Sequence, residues 1–253
     1  MAKPLRFALL GDPVIHSRSP AIQMEALRLA GMKGEYLAIE ADRSRLRAAI
    51  DALRAGEFDG LNITMPLKGA AAELIGRTGA VNTLRCRNTA IEGTSTDAST
   101  FSAIFEKDGF SHIDNVLILG TGGSALSALA AIKDKHIYLS ARNATKASAI
   151  VTSHEGAAVV PWGAAVAGAV VINCTPIGMQ SEALPGVVVK VASALIDLPY
   201  GSSVTPSVSQ AQRAGIQTVD GYEFLARQAA ASFEWWTGVV VDFKLLVERA
   251  RNV

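Results

Sequence analysis

Between residues 116 and 132 the chain passes from a β-branched and leucine run, Val116–Leu119, straight into Gly120-Thr121-Gly122-Gly123-Ser124-Ala125, then into a helix-like stretch reaching Ile132. Strand, glycine turn and helix in immediate succession constrain the fold more than any other stretch, because that is the order of a parallel βαβ unit. Glycines in the turn let a backbone approach a pyrophosphate, and the helix N-terminus offers unpaired N–H groups and a positive dipole. The same glycine pattern also serves as an ordinary tight turn, so the flanking strand and helix carry the reading.

Strand and helix patterns alternate along the rest of the chain. Arg6–Leu10, Glu35–Ile39 and Gly60–Thr64 read as strands. Between and after them come helices from Pro20 to about Met32, over Arg43–Arg54 with a stop at Gly56, and over Leu67–Ile75. Ala80–Arg87 and Ala90–Thr94 look like paired strands about a polar turn at Asn88. Further on, His136–Ser140, Val170–Asn173, Ala194–Leu198 and Ile216–Val219 are strand-like, with a helix from about Ala144. Tyr222–Arg251 is a long helical pattern broken at Gly238. The predicted fold is α/β with two domains. Residues 1–100 form an α/β substrate domain with a largely parallel sheet, on which residues 222–253 pack back. Residues 101–221 form a Rossmann-type dinucleotide-binding domain.

Composition narrows the partners. Nearly half of the 253 residues are hydrophobic, and acids and bases are mixed to a net charge of +1, so no basic block is long enough to track a phosphate backbone. A small anion held by a few local Lys or Arg side chains stays open, whereas nucleic acid is not expected. Cys86 and Cys174 lie in apolar strand-like runs without CxxC spacing, the pattern of buried free thiols in a reducing compartment. His16, His112, His136 and His154 are scattered, so no metal is expected. The apolar part of the N-terminus is too short for a signal peptide, and no apolar run reaches spanning length. A cytoplasmic protein without membrane contact is the expectation, working as a monomer or homodimer.

The segment after His136–Ser140 bears on the nucleotide. An NAD site places an Asp or Glu there for the ribose hydroxyls. Here it reads Ala141-Arg142-Asn143-Ala144-Thr145-Lys146, without an acid. Arg142 and Lys146 suit a 2′-phosphate, one as a bidentate fork and the other as a point charge, with Asn143 as a further donor. That predicts NADP; two solvated cations near a helix start are the plain alternative.

In the first domain, polar residues gather at strand–helix junctions. Ser17 and Ser19 follow the first strand and precede a helix, placed either to cap it or to bind a ligand carboxylate. The string Asn62-Ile63-Thr64-Met65-Pro66-Leu67-Lys68 ends a strand and delivers a lysine to the next helix's first turn. Asn82 and Asp97 also lie near strand ends. Singly each is ordinary, a surface lysine included; jointly they suggest a site.

With these strings in view, the chain resembles the shikimate dehydrogenase family over essentially its whole length. The matching motifs are GDPVIHSRSP, DGLNITMPLK, TGAVNT, STDA, LGTGGSA, INCTPIGM, DLPY followed by TP, and DGYEFLARQAA. The resemblance implies that Ser17, Ser19 and Thr64 bind the substrate's carboxylate and hydroxyls, with Asn82, Tyr200 and Gln228 completing the shell. It implies Lys68 and Asp97 as the catalytic pair. It also places Gly120 to Ala125 and Thr175 on the cofactor, with Leu198 and Gly221 by the nicotinamide. Two motifs depart from the family: its Asn-Thr-Asp-Gly is Ser95-Thr96-Asp97-Ala98 here, and its Asn-Arg-Thr is Ala141-Arg142-Asn143.

The implied reaction is reversible NADP-dependent reduction of 3-dehydroshikimate to shikimate, in aromatic amino-acid biosynthesis. Hydride reduction of a ring ketone makes an alkoxide that needs a proton or a positive charge; Lys68 supplies either and Asp97 orients it. Two alternatives stay open: a paralogue acting on quinate or a related cyclic polyol, and a catalytically weak ligand-binding or regulatory relative.

Overall fold

A computed structural model describes residues 3–252 of the chain. In chain order its elements are β1 (Leu5–Gly11), α1 (Ser19–Leu29), β2 (Gly34–Glu40), α2 (Arg43–Arg54), β3 (Gly60–Ile63), α3 (Lys68–Leu74), β4 (Thr83–Arg87), β5 (Ala90–Thr94) and α4 (Thr96–Lys107). There follow β6 (Asn115–Leu119), α5 (Gly123–Ala131), β7 (His136–Ser140), α6 (Ala144–Val151), β8 (Ala157–Val160), β9 (Val170–Asn173), α7 (Gly186–Lys190), β10 (Ala194–Asp197), α8 (Pro206–Arg213) and β11 (Gln217–Val219). Helices α9 (Gly221–Thr237) and α10 (Phe243–Arg251) close the chain. None of the described helices is long and apolar enough to cross a membrane. Two units result: Met1–Thr100 with Leu225–Val253, and Phe101–Phe224.

The first unit holds a five-stranded sheet in the order β2-β1-β3-β4-β5. β2, β1 and β3 are parallel, and β4 runs antiparallel to both of its neighbours, β3 and β5, so that β5 points the same way as the first three. The sheet therefore remains largely parallel, as expected for this domain, and is mixed in that β4 alone is reversed. The cause is local: Arg87 pairs with Ala90 across Asn88 and Thr89, whose φ of 50° and 66° are those of a tight hairpin turn. One face of this sheet, through Ala8, Leu10, Leu61, Ile63 and Leu84, is buried against Leu46, Ile50 and Leu53 of α2 and Ala71 of α3. Trp236 of α9 stacks on Phe7 at 4.6 Å and donates its indole N–H to the Leu84 carbonyl.

The second unit is a six-stranded parallel sheet in the order β8-β7-β6-β9-β10-β11. Relative to the first strand of the unit this is 3-2-1-4-5-6, and the order reverses between β6 and β9. Its central strands β6, β9 and β10 bury both faces, as parallel strands covered by helices must. Gly120 sits at that reversal with φ +108°, a left-handed conformation open to glycine, and a Cβ there would lie 3.1 Å from the Cys174 carbonyl. Cys86 and Cys174 are free, as expected, but half-buried rather than buried, because both stand at or past the ends of short strands.

Candidate active site

In the first unit the strand order reverses between β2 and β3 around β1, so the loops after β1 and β3 share one end of the sheet. Backbone bonds tie those loops together: Asp12 N–H to the Met65 carbonyl at 2.9 Å and Thr64 N–H to the Leu10 carbonyl at 2.8 Å. Ser17 and Ser19 arrive on one loop, Thr64 and Lys68 on the other.

The two serines are not helix caps. Arg18 holds the N-cap position of α1 in a helical conformation with no side-chain cap, and Ser19 is the first helical residue. The Ser17 hydroxyl accepts the Ser19 N–H at 3.2 Å, and Ser19 is buried. Arg18 itself donates to the Ala250 carbonyl in the last turn of α10 at 2.5 Å, which anchors the loop. The hydroxyl of half-buried Thr64 makes no hydrogen bond to another described residue. Polar hydroxyls not used by the fold, at the end of a parallel strand pair, are available to a ligand.

Lys68 begins α3 and Asp97 lies in the first turn of α4. Lys68 Nζ donates to Asp97 Oδ2 at 2.5 Å, with the two side chains 13% and 5% exposed. So deep an ion pair is poor value as a stabiliser, since removing two charges from water offsets most of their attraction. The other carboxylate oxygen, Oδ1, accepts from Asn82 Nδ2 at 3.0 Å. Gln228, on α9, brings its Oε1 to 3.4 Å from both Asn82 Nδ2 and Thr96 Oγ1. The replaced motif residue Ser95 accepts the Ala98 N–H at 3.2 Å in the opening turn of α4, and the Lys68–Asp97 pair forms regardless.

Four residues of this cluster were not singled out in the sequence: Tyr36, Thr83, Thr96 and Ser232; a fifth, Asn62, was read only as a polar strand end. The Tyr36 hydroxyl donates to Asn62 Oδ1 at 2.8 Å, and Asn62 Nδ2 reaches Thr83 Oγ1 and Ser232 Oγ, each at 3.0 Å. The available signal was Asn62 itself, an amide inside a strand whose four residues are all buried.

The second unit carries the remaining expected residues. The turn from Gly120 to Ser124 leads into α5, whose N-cap, Gly122, gives no side-chain cap, and a Cβ on Gly122 would meet nothing within 4 Å. The first-turn N–H groups thus face open space, the requirement for an anion at a helix start; Ala125, one turn in, is buried against the sheet. Arg142 and Lys146 are exposed and form no ion pair among the described residues. Asn143 caps α6, its Oδ1 accepting the Lys146 N–H at 2.9 Å, so only its amide nitrogen remains for a ligand. At Gly221 a Cβ would lie 2.5 Å from the Leu198 carbonyl oxygen and 2.4 Å from that of Pro199, a close approach that excludes any larger residue. Tyr200 follows β10, its ring 6.0 Å from that of Tyr222. It belongs to the second unit.

Thr175 is held by its own turn: its hydroxyl donates to Asn173 Oδ1 at 2.6 Å. Asn173 Nδ2 in turn donates to Asp197 Oδ1 at 2.6 Å, and Asp197 Oδ2 accepts from the Thr205 hydroxyl that caps α8. Burial pushes the Asp197 carboxyl up to about 6, with a contribution from nearby Asp220, against the opposing pull of the two hydrogen bonds. A raised pKa means that the folded chain binds this proton more tightly than the unfolded one. The group therefore adds stability below about pH 4 that is lost as pH rises through about 6, on the order of 3 kcal/mol. Urea unfolding from pH 4 to 7 is expected to show Asp197→Asn flattening that fall relative to the wild type. Parallel curves for the two proteins would refute the assignment.

Comparison with known proteins fits this geometry. Residues 9–84 match the family described as the shikimate dehydrogenase substrate binding domain, and residues 221–251 match the shikimate 5′-dehydrogenase C-terminal domain. The chain is 32% identical to the shikimate dehydrogenase (NADP(+)) of Thermus thermophilus, over 98% of each chain. A Thermus thermophilus shikimate 5-dehydrogenase solved in complex with shikimate superposes with a TM-score of 0.84 at 31% identity, covering 98% of both chains. A shikimate dehydrogenase solved in complex with NADP+ gives a TM-score of 0.87 at 27% identity, covering 100% of this chain and 96% of that one.

Proposed function

The chain belongs to the shikimate dehydrogenase family, and on that premise we propose that it catalyses the reversible NADP-dependent reduction of 3-dehydroshikimate to shikimate. The observation that carries the reading to residues is the buried Lys68–Asp97 pair, set on a loop where the Thr64 hydroxyl makes no hydrogen bond to another described residue. Ser17, Ser19 and Thr64 hold the carboxylate and ring hydroxyls, and Asn82 and Gln228 complete the shell. For Tyr200, in the other unit, that role rests on the resemblance alone. Lys68 gives its proton to the nascent alkoxide in the reducing direction and recovers it in the other, while Asp97 keeps the ammonium aimed. Several donors and acceptors matched to hydroxyls give selectivity, because an analogue lacking one leaves buried groups unpaired.

NADP, when bound, supplies or accepts the hydride. The residues that would hold it have the chemistry it requires. The uncapped start of α5 after Gly120-Thr121-Gly122-Gly123-Ser124-Ala125 suits the pyrophosphate, and Arg142, Asn143 and Lys146 suit the 2′-phosphate. Thr175, Leu198 and Gly221 would line the nicotinamide end. On this reading the partners are small molecules, and the protein works in the cytoplasm as a monomer or homodimer, without nucleic acid or membrane.

A cofactor-absorbance assay with shikimate or quinate, each with NADP or NAD, tests the assignment; shikimate with NADP is expected to give the highest kcat/KM. Quinate turning over faster would move the substrate to the paralogue's. Arg142→Ala is expected to weaken NADP by roughly ten- to a hundredfold and leave NAD almost unchanged, as loss of a charge-assisted hydrogen bond does. Added salt should shrink the NADP preference in the same direction, since both cations are exposed. Equal kcat/KM for the two cofactors in the wild type would show Arg142 and Lys146 to be merely solvated.

A further inference from the structure

Helix α9 places a single hydroxyl in the middle of the polar interior of the first unit. Ser232 is 0% exposed. Its Oγ lies 3.0 Å from Asn62 Nδ2, 2.9 Å from Thr83 Oγ1, 3.1 Å from Thr96 Oγ1 and 3.0 Å from the Gln228 carbonyl. A serine hydroxyl has one hydrogen and two lone pairs, so these neighbours saturate it. They come from β3, β4, α4 and α9 itself.

Asn82 forms the next layer, and a backbone donor decides which way its amide faces. The Thr96 N–H reaches the Asn82 side chain at 2.7 Å, so the receiving atom is Oδ1, and Nδ2 faces Asp97. Nδ2 then gives one hydrogen to Asp97 Oδ1 at 3.0 Å and the other to Thr96 Oγ1 at 2.9 Å. The Thr96 hydroxyl, having accepted from Nδ2, also lies 3.1 Å from Ser232 Oγ, a contact in which either oxygen can donate. Take Ser232 away, and the remaining acceptors are Asn82 Oδ1 at 3.2 Å, Thr83 Oγ1 at 3.3 Å and Gln228 Oε1 at 3.4 Å. Two of these belong to side chains of the substrate shell.

We propose that Ser232 is a positioning residue for the Lys68–Asp97 pair: its hydroxyl seats the Thr83 and Thr96 hydroxyls, which pack on the Asn82 side chain and hold its amide, already oriented by the Thr96 N–H, at hydrogen-bond distance from the Asp97 carboxylate. This rests on the reading that the pair performs the chemistry. A serine within a helix that bonded only to the carbonyl four residues back would be replaceable by alanine at little cost to turnover. Ser232 differs in having three further partners, two of which reach the Asn82 side chain and the third the Asn82 carbonyl.

The test is steady-state kinetics with shikimate and NADP on Ser232→Ala, alone and combined with Asp97→Asn. Ser232→Ala is expected to lower kcat about tenfold, with KM for NADP unchanged and the kcat–pH profile displaced. In the Asp97→Asn background the same substitution is expected to change kcat by less than about twofold, because its route of action is already cut. Ser232→Thr, which keeps the hydroxyl, should recover most of the loss. Should the alanine variant not fold, Ser232→Cys keeps the volume with a weak acceptor and gives the same readout. An undiminished kcat with a lowered Tm, or an equal loss in both backgrounds, overturns the proposal while leaving the proposed reaction standing. Wild-type protein inactive toward shikimate with NADP overturns both.

Discussion

Lys68→Ala is expected to lower kcat by about two to four powers of ten while NADP binds almost as it does to the wild type. The first half follows from removing both the proton and the positive charge that a developing alkoxide requires. The second follows from placement: Lys68 opens α3 in the first unit, and the glycine turn, Arg142 and Lys146 all lie in the second. The substitution leaves the Asp97 carboxylate buried with Asn82 as a donor, so some stability is lost as well. Turnover should therefore be compared where circular dichroism shows both proteins folded, with NADP affinity measured by titration calorimetry. Wild-type turnover in the purified variant would remove Lys68 from the mechanism.

Replacing Ser17 and Ser19 together with alanine is expected to raise KM for shikimate by roughly two to four powers of ten. Each lost hydrogen bond to a charged group contributes about 1.5–3 kcal/mol. KM for NADP should stay where it is. The structure sharpens this expectation, because neither serine caps α1 and the Ser17–Ser19 contact is a single 3.2 Å bond. Tm should then move little. A large fall in Tm with an unchanged KM would mean that the hydroxyls serve the fold instead of the ligand.

Much of the second unit is legible in the sequence because its signals are local. Gly120 to Ala125 lie between an apolar strand and a helix, and Val170–Ile172 is an unbroken apolar run. What escapes is short or set by distant partners. Strand β8, four residues at a sheet edge, carries only an Ala-Ala-Val-Val pattern. Helix α8 has a readable start in Thr205-Pro206, a cap followed by proline at the first position, but runs for only eight residues. The β4–β5 hairpin, by contrast, is legible from the polar turn at Asn88, where left-handed Asn88 and Thr89 close it. Lys68 and Asp97 stood out as polar residues at element junctions. Their supporting shell did not, because Thr83, Thr96 and Ser232 are ordinary small polar residues, and 136 positions separate Thr96 from Ser232. No periodicity records a hydrogen bond across such a distance.

The first unit is assembled from two stretches far apart along the chain. Phe7 meets Trp236, Asn62 meets Ser232, and Arg18 holds the carbonyl of Ala250. As the chain leaves the ribosome, residues 1–100 emerge early yet lack the helices that cover them. The second unit, one continuous stretch from Phe101 to Phe224, has all its strands to hand before that cover is made. Order of synthesis and order of completion are thus inverted: the half translated first is finished last, and its serine loop gains the Arg18 anchor only when the final turn of the chain has been translated.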